Sequence, residues 1–399
     1  MKADVRIAIV GGGIVGSALA LQLLREAGLA AGDICIFERE PPREPAADAP
    51  PEQRVYALSP ASMELLAGIG VWSRLDRRRI AAIEHMRVCP EGLPADSPDA
   101  LRFDAAESGA ALLGAIAGAR AVQAALHAAC RDAGIGIVSE PVESVEVLPA
   151  PVVRTAGGLC TAELLVGADG ARSAVRAAAG IAAHERDYGQ TGIVATVQAQ
   201  RPPVATAFQR FLDTGPLALL PLPGGLLSIV WSATASRAEQ LLALDDAAFS
   251  AELTRSAAAG FGELVLCGPR AAFALRRLQA AQYVAGPCVL VGDAAHVIHP
   301  LAGQGVNQGL GDARALAAAL AGRPRGEGVA ARRALRRYER ERRLDNALMG
   351  TVVDSLDRMF TGGGALAQLA GRGMALAGQV PPLRHALMRG AAGRSSPRR

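Results

Sequence analysis

Aromatic residues are scarce in this chain of 399 residues: two Trp, four Tyr and eight Phe. Half of the residues are hydrophobic, so the core must be built mainly from Ala, Leu and Val. The length exceeds what one ordinary core serves and predicts two or three domains. The six cysteines, Cys35, Cys89, Cys130, Cys160, Cys267 and Cys288, are scattered with no CxxC pair. That spacing argues against a disulfide framework and a cysteine zinc site, and a reducing cytosol is the simplest reading. The net charge is only +4, and there is no basic stripe interleaved with aromatics, which argues against a nucleic-acid partner. The charge is uneven, however. From Ser355 to Arg399 there are seven arginines and one acid, Asp357. A basic, apolar tail fits a membrane surface or an acidic partner.

Long uncharged runs are also rare. The stretch Ile7 to Leu24 has no charge and follows Lys2 and Arg6, which is the hydropathy of a signal peptide or a membrane span. Four glycines within it, at 11, 12, 13 and 16, together with Ser17 and Gln22, favour a strand, a tight turn and a helix. No other stretch is long enough to span a bilayer.

That reading gives the first motif. Val5 to Val10 is a strand, Gly11, Gly13 and Gly16 form GxGxxG, Ser17 to Ala27 is a helix, and Ile34 to Phe37 is a second strand ending in Glu38. Gly11 permits the turn, Gly13 lets a pyrophosphate approach the backbone, and Gly16 lets helix and strand pack closely. The helix N-terminus offers unpaired N–H groups to phosphates. Glu38 stands where a carboxylate can hold ribose hydroxyls. The motif alone leaves FAD and NAD(P)H both open.

A second strand–turn–helix lies late in the chain. Val289 to Val291 leads into Gly292 and Asp293, and Gly303 and Gly305 precede a helix from about Val306 to Leu320. A long, extended cofactor can use two helix N-termini. Asp293, His296 and His299 have a spacing that would suit a non-haem iron, but the strand before them and the glycines around them are better explained by a nucleotide cofactor, and no metal is expected. Arg332 to Arg343 holds seven arginines with Glu339 and Glu341 between them, the pattern of a solvated helix with i,i+4 pairs. Short apolar runs at 193–197, 207–212, 217–222 and 226–232, separated by Pro and Gly, predict an antiparallel sheet.

The run GDAAHVIHPLAGQGVNQGLGDA resembles the flavin-site signature of aromatic-ring monooxygenases, and most of all that of the ubiquinone-biosynthesis hydroxylases. The resemblance extends to RVYALS from Arg54 with Leu65, Leu66, Gly70 and Trp72, to LLVGADG with Asp169, and to RAVQAAL with Gln123. Ala119 stands where that family usually has Asn. The segments FQRF (208–211) and GPLALLPL (215–222) resemble its substrate-domain strands.

The resemblance implies an α/β fold: a Rossmann-like parallel sheet binding FAD (1–72, 103–182, 280–350), an antiparallel substrate-binding sheet (73–102, 183–279) and a helical C-terminal segment with a basic tail (351–399). It implies that Gly11, Gly13, Gly16 and Glu38 hold the nucleotide, with Arg54, Gln123 and Asp169 beside FAD. Asp293 would take a ribityl hydroxyl, and the backbone of Gly303, Gly305, Val306 and Asn307 would meet the flavin ring. His299 and Pro300 would lie along the flavin face as the catalytic pair. NAD(P)H would serve as co-substrate, docking on the flavin domain, since there is only one GxGxxG. The implied reaction is hydroxylation of a prenylated phenol with O2 through a flavin C4a-hydroperoxide, in a dry pocket of Leu217, Leu219, Leu220 and Pro221. The alternatives are a hydroxylase of a small soluble aromatic and a flavin-dependent prenyl reductase. The implied location is cytoplasmic, peripheral at the inner membrane, where residues 352–388 would touch lipid or a lipid-presenting partner.

Overall fold

The computed structural model describes residues 3–46, 49–91, 93, 97, 100–258, 260–298 and 304–360. The uncharged N-terminal run is strand Val5–Val10, a glycine turn and helix Ile14–Glu26. No described helix is long and apolar enough to cross a membrane. The tail from 361 onward lies outside the described residues.

Strand Val5–Val10 is central in the first sheet. It pairs in parallel with Gly158–Gly167 on one side and Ile34–Phe37 on the other. Cys288–Leu290 and Gly136–Val138 extend this sheet in parallel. Both faces are covered, so the strands read as continuous apolar runs. Helices Ile14–Glu26, Ala119–Asp132 and Gln304–Ala321 contribute to one large core with it.

A second, mostly antiparallel sheet is built on the 17-residue strand Ala183–Ala199, which pairs with Leu226–Thr234 and Ala271–Ala280. Beyond Leu226–Thr234 come Gly215–Pro221, Thr206–Leu212, His85–Pro90 and Leu101–Asp104. The Pro- and Gly-rich breaks therefore do mark strand ends. Helices Ala235–Ala243 and Asp246–Ala257 cover one face. This corrects the expected pocket. Leu217 and Leu219 are fully buried in the core beneath those helices, with Phe249 and Leu253. Strand alternation puts Ala218 and Leu220 on the opposite face, and Leu220 joins a separate small cluster there.

That cluster includes a three-stranded sheet not anticipated from the sequence: Val55–Leu58, Gly114–Gly118 and Ala81–Ile83. Its Val55, Ala57, Ile116 and Ile83 meet Ala207, Leu220 and Leu222 of the large sheet. The last described helix, Arg332–Phe360, is only partly the solvated helix expected. Leu335, Tyr338, Glu339, Arg342 and Asn346 are buried.

Candidate active site

The three motif glycines serve different needs. Gly11 has φ +103°, and a Cβ there would lie 2.2 Å from the Ala168 carbonyl oxygen. A Cβ on Gly16 would lie 2.0 Å from the Gly11 carbonyl oxygen. The fold itself demands both. Around Gly13 nothing among the described residues stands within 4 Å of the Cβ position. That space opens on the start of helix Ile14–Glu26, whose N-cap is Gly13 and whose first turn has no acid. Unpaired N–H groups at an open, uncapped helix start fit a phosphate-bearing group.

Gly12 is gripped from several directions. Its N–H donates to Glu38 Oε2 at 2.9 Å. Its carbonyl accepts from Ser17 Oγ at 3.0 Å, from Gln123 Nε2 at 3.4 Å and from His127 Nε2. Glu38 also accepts from the Glu40 N–H at 3.2 Å, so its carboxylate is fixed at the end of the second strand. His127 was not anticipated. It lies one helical turn beyond Gln123 and is wholly buried. Burial pushes its imidazole below the ordinary value, and the bond to Gly12 opposes this in part. A neutral ring with its proton on Nε2 suits the Gly12 carbonyl.

Asp169 turns inward. It accepts from Ser173 Oγ at 2.5 Å and from the Val175 N–H at 3.1 Å, and so organises its own turn. Arg176, one turn on, donates to the Ala294 carbonyl at 3.0 Å. The Asp-Gly turn thus braces the loop that carries Asp293.

Asp293 sits in the short turn Gly292–Ala294. Its side chain is open to solvent, yet enough protein surrounds it that desolvation holds its carboxyl above the usual range; His296 and Arg54 oppose this, and Asp312 adds to it. A group both exposed and poorly solvated faces a crevice. Arg54 shares that crevice, with its guanidinium 5.5 Å from the Tyr56 ring centroid.

The helix Gln304–Ala321 reaches the same place. Gly309 and Gly292 lie against Val15, and a Cβ on Gly309 would be 2.5 Å from a Val15 methyl. Small residues therefore let the first turns of two helices converge. At Gly305 no atom of the described residues stands within 4 Å of the Cβ position, a second open cradle, and Val306 beside it is half-buried. The Asn307 side chain looks away from it. Its Oδ1 accepts from the Ser59 N–H at 2.9 Å and from Ser62 Oγ at 2.8 Å, and its Nδ2 donates to the Ala57 carbonyl at 2.9 Å. The RVYALS segment and the late glycine motif are thereby joined in space. His299, Pro300 and Gly303 lie outside the described residues.

His296 belongs to a buried network. It donates to Asp312 Oδ2 at 2.6 Å. Asp312, fully buried, also accepts from the Gly292 N–H at 2.9 Å and from Arg342 Nε at 2.7 Å. No group of three or more His, Cys, Asp or Glu side chains among the described residues could hold a metal.

Residues 145–349 match the model of the FAD binding domain family. Over 364 residues the chain is 37% identical to 3-demethoxyubiquinol 3-hydroxylase of Escherichia coli, covering 87% of this chain and 88% of that one. It is 35% identical to ubiquinone hydroxylase UbiL of Rhodospirillum rubrum, covering 97% and 89%. Among solved structures, p-nitrophenol 4-monooxygenase PnpA of Pseudomonas putida shares the fold at 18% identity and a TM-score of 0.75, covering 99% of this chain and all of that one. HpxO of Klebsiella pneumoniae, solved with FAD, does so at 18% identity and a TM-score of 0.73, covering 97% and 98%. The chain belongs to the FAD-dependent hydroxylase family of ubiquinone biosynthesis.

Proposed function

We propose that this chain hydroxylates the aromatic ring of a prenylated phenol in ubiquinone biosynthesis, consuming NAD(P)H and O2 at bound FAD. The observation that carries the reading is the 35% to 37% identity, over most of the chain, to hydroxylases of that pathway, in a chain whose two helix starts have open space around Gly13 and Gly305 among the described residues. When bound, FAD supplies the electron transfer from the nicotinamide and the activation of O2.

The remaining work belongs to the protein. In this reading the turn at Gly11, Gly13 and Gly16 takes the pyrophosphate and Glu38 the ribose hydroxyls. Arg54 and Asp293 face the cofactor across their shared crevice, with Asp293 on a ribityl hydroxyl. Gly303, Gly305, Val306 and Asn307 meet the ring through their backbone. A helix N-terminus there stabilises negative charge on the reduced ring. Gln123 and Asp169 act from behind, through Gly12 and the Asp293 loop. His299 and Pro300 line the flavin face, as the family pattern implies. The division into an FAD-binding unit (1–72, 103–182, 280–350), a substrate-binding unit (73–102, 183–279) and a C-terminal segment (351–399) is part of the same proposal.

A visible spectrum of the purified protein, followed by anaerobic NADPH and NADH titration, tests the assignment. A flavin spectrum that bleaches faster with a prenylated phenol present is expected. A colourless protein that rebinds no FAD would overturn it.

The proposed location is cytoplasmic and peripheral at the inner membrane, or on a lipid-presenting partner. Leu344 and Leu348 are 50% and 58% exposed on a helix where Arg340 and Arg343 are also exposed. Such a face suits an anionic lipid surface. Anionic liposomes should float the protein, and replacing both leucines with serine should weaken flotation; equal flotation would end the idea.

A further inference from the structure

Among the polar side chains that the large sheet buries, Gln209 stands alone in an otherwise apolar row. In strand Thr206–Leu212, Phe208, Arg210 and Leu212 turn toward the covering helices. Phe208 meets Phe261 edge-on at 5.6 Å, Arg210 donates to the Ala257 carbonyl at 3.2 Å, and Leu212 lies in the same core. Ala207, Gln209 and Phe211 therefore face the other way.

The strand register extends this face into a row. Val194 pairs with Val230, Val230 with Ala218, Ala218 with Gln209, Gln209 with Val88 and Val88 with Leu101. Gln209 is the one polar member. It is only 6% exposed, and its carboxamide makes no hydrogen bond among the described residues. Its amide atoms are not among the fully enclosed unpaired ones, so they reach the open side of this face, where a partner from outside can meet them.

The surroundings say what faces it. On one side, Ala207 and Leu220 pack on Val55, Ala57 and Ile116, and the Ala57 carbonyl holds Asn307 at the start of the helix proposed for the flavin ring. On the other, Phe211 and Val88 pack with Met349. Gln209 lies between these two apolar clusters. Val194, Ala218 and Val230 beside it are only half-buried, so this stretch of the face is not closed off as its reverse is.

Resting on the hydroxylase reading, the geometry points to Gln209 as the polar anchor of the substrate cavity: its Oε1 accepts the O–H of the phenol, while Val194, Ala218 and Val230 contact the ring. An unpaired amide in an apolar wall selects a ligand that brings one hydrogen-bonding group. It thereby fixes which edge of the ring is held and which is presented for oxygenation.

The test compares binding of a prenylated phenol and its methyl ether, which lacks the O–H. FAD-loaded wild type, Gln209→Leu and Gln209→Met are titrated by flavin fluorescence, with FAD content as the control for folding. Wild type should prefer the phenol by about tenfold, the scale of one net hydrogen bond. Both variants should bring the preference within about twofold while keeping their FAD. A preference that survives in the variants, or is missing from wild type, would overturn the assignment. The same pair without the prenyl chain separates it from the functional reading. If wild type bound only the unprenylated phenol and lost that preference in the variants, the anchor would stand and the lipid-tailed substrate would fall.

Discussion

Asp312→Asn is the most informative single change outside the crevice proposed for the cofactor. The carboxylate is fully buried and accepts from the Gly292 N–H, His296 Nε2, Arg342 Nε and, at 3.4 Å, Asn346 Nδ2. Burial alone would push its carboxyl up; the charges of His296 and Arg342, and their hydrogen bonds, overcome this and hold it down at about 2, from an ordinary 3.8. At about 1.36 kcal/mol per unit, that difference is worth roughly 2 kcal/mol. Removing one partner of a buried pair costs about 3–5 kcal/mol. Arg342 keeps Asp345 at 3.0 Å, which argues for the lower end, about 3 kcal/mol. With an unfolding entropy of ~2.1 cal/mol/K per residue over 399 residues, the melting temperature should fall by about 4 °C.

The sign follows from linkage. A depressed carboxyl stabilises fully above its unfolded value and loses that contribution as pH falls through its folded one. The wild type minus Asp312→Asn difference should therefore be flat above pH 4 and shrink between about 4 and about 2. Thermal unfolding by circular dichroism across that range reads it. Adding Arg342→Met to Asp312→Asn should recover part of the loss, because the guanidinium that has lost its buried carboxylate leaves the core. A variant melting within about 1 °C of wild type, or a double variant no better than the single, would refute the reasoning.

Two further changes separate fold from cofactor. Gly13→Ala meets open space; the apoprotein should melt as wild type does, while the FAD dissociation constant rises at least about tenfold because the methyl occupies the pyrophosphate's approach. Gly11→Ala, at φ +103° and 2.2 Å from Ala168, should destabilise the apoprotein itself. A Gly13→Ala protein with undiminished FAD affinity would remove the phosphate from that turn. Asn307→Ala severs the bonds to Ala57, Ser59 and Ser62 and should cost about 2–3 kcal/mol by chemical denaturation, the scale of leaving buried partners unpaired; a loss under about 0.5 kcal/mol would make the tie incidental.

What could be read from the sequence was local. The strand, turn and helix at Val5 to Glu26 announce themselves because period and glycine spacing lie within one window. The breaks around Thr206–Leu212 and Gly215–Pro221 are legible for the same reason. Facing was not legible. Leu217, Leu219 and Leu220 are equivalent as letters, and the sheet is apolar on both sides, one against helices and one against Val55, Ala57 and Ile116. Alternation shows that Leu219 and Leu220 part company but not which of them looks at the cofactor; only the partner layers decide. The three-stranded sheet escaped because strands as short as Ala81–Ile83 carry no period.

The residues that sequence reasoning passed over share one trait. His127 lies among buried Val122, Leu126 and Cys130, Asp312 among buried Leu310, Ala315 and Leu316, and Gln209 in a row of Val and Ala. Each is polar on an apolar face, where burial without a partner is penalised. Two have found partners in the turns proposed to hold the cofactor. His127 holds the carbonyl of Gly12, and Asp312 holds the N–H of Gly292, beside Asp293. Both act on backbone atoms of glycines, whose own side chains offer nothing to fix them. In a chain with few aromatics, buried polar contacts rather than ring stacking are left to hold those turns. Gln209 is buried too, but its carboxamide has no side-chain partner among the described residues, which is why its partner is sought in the substrate.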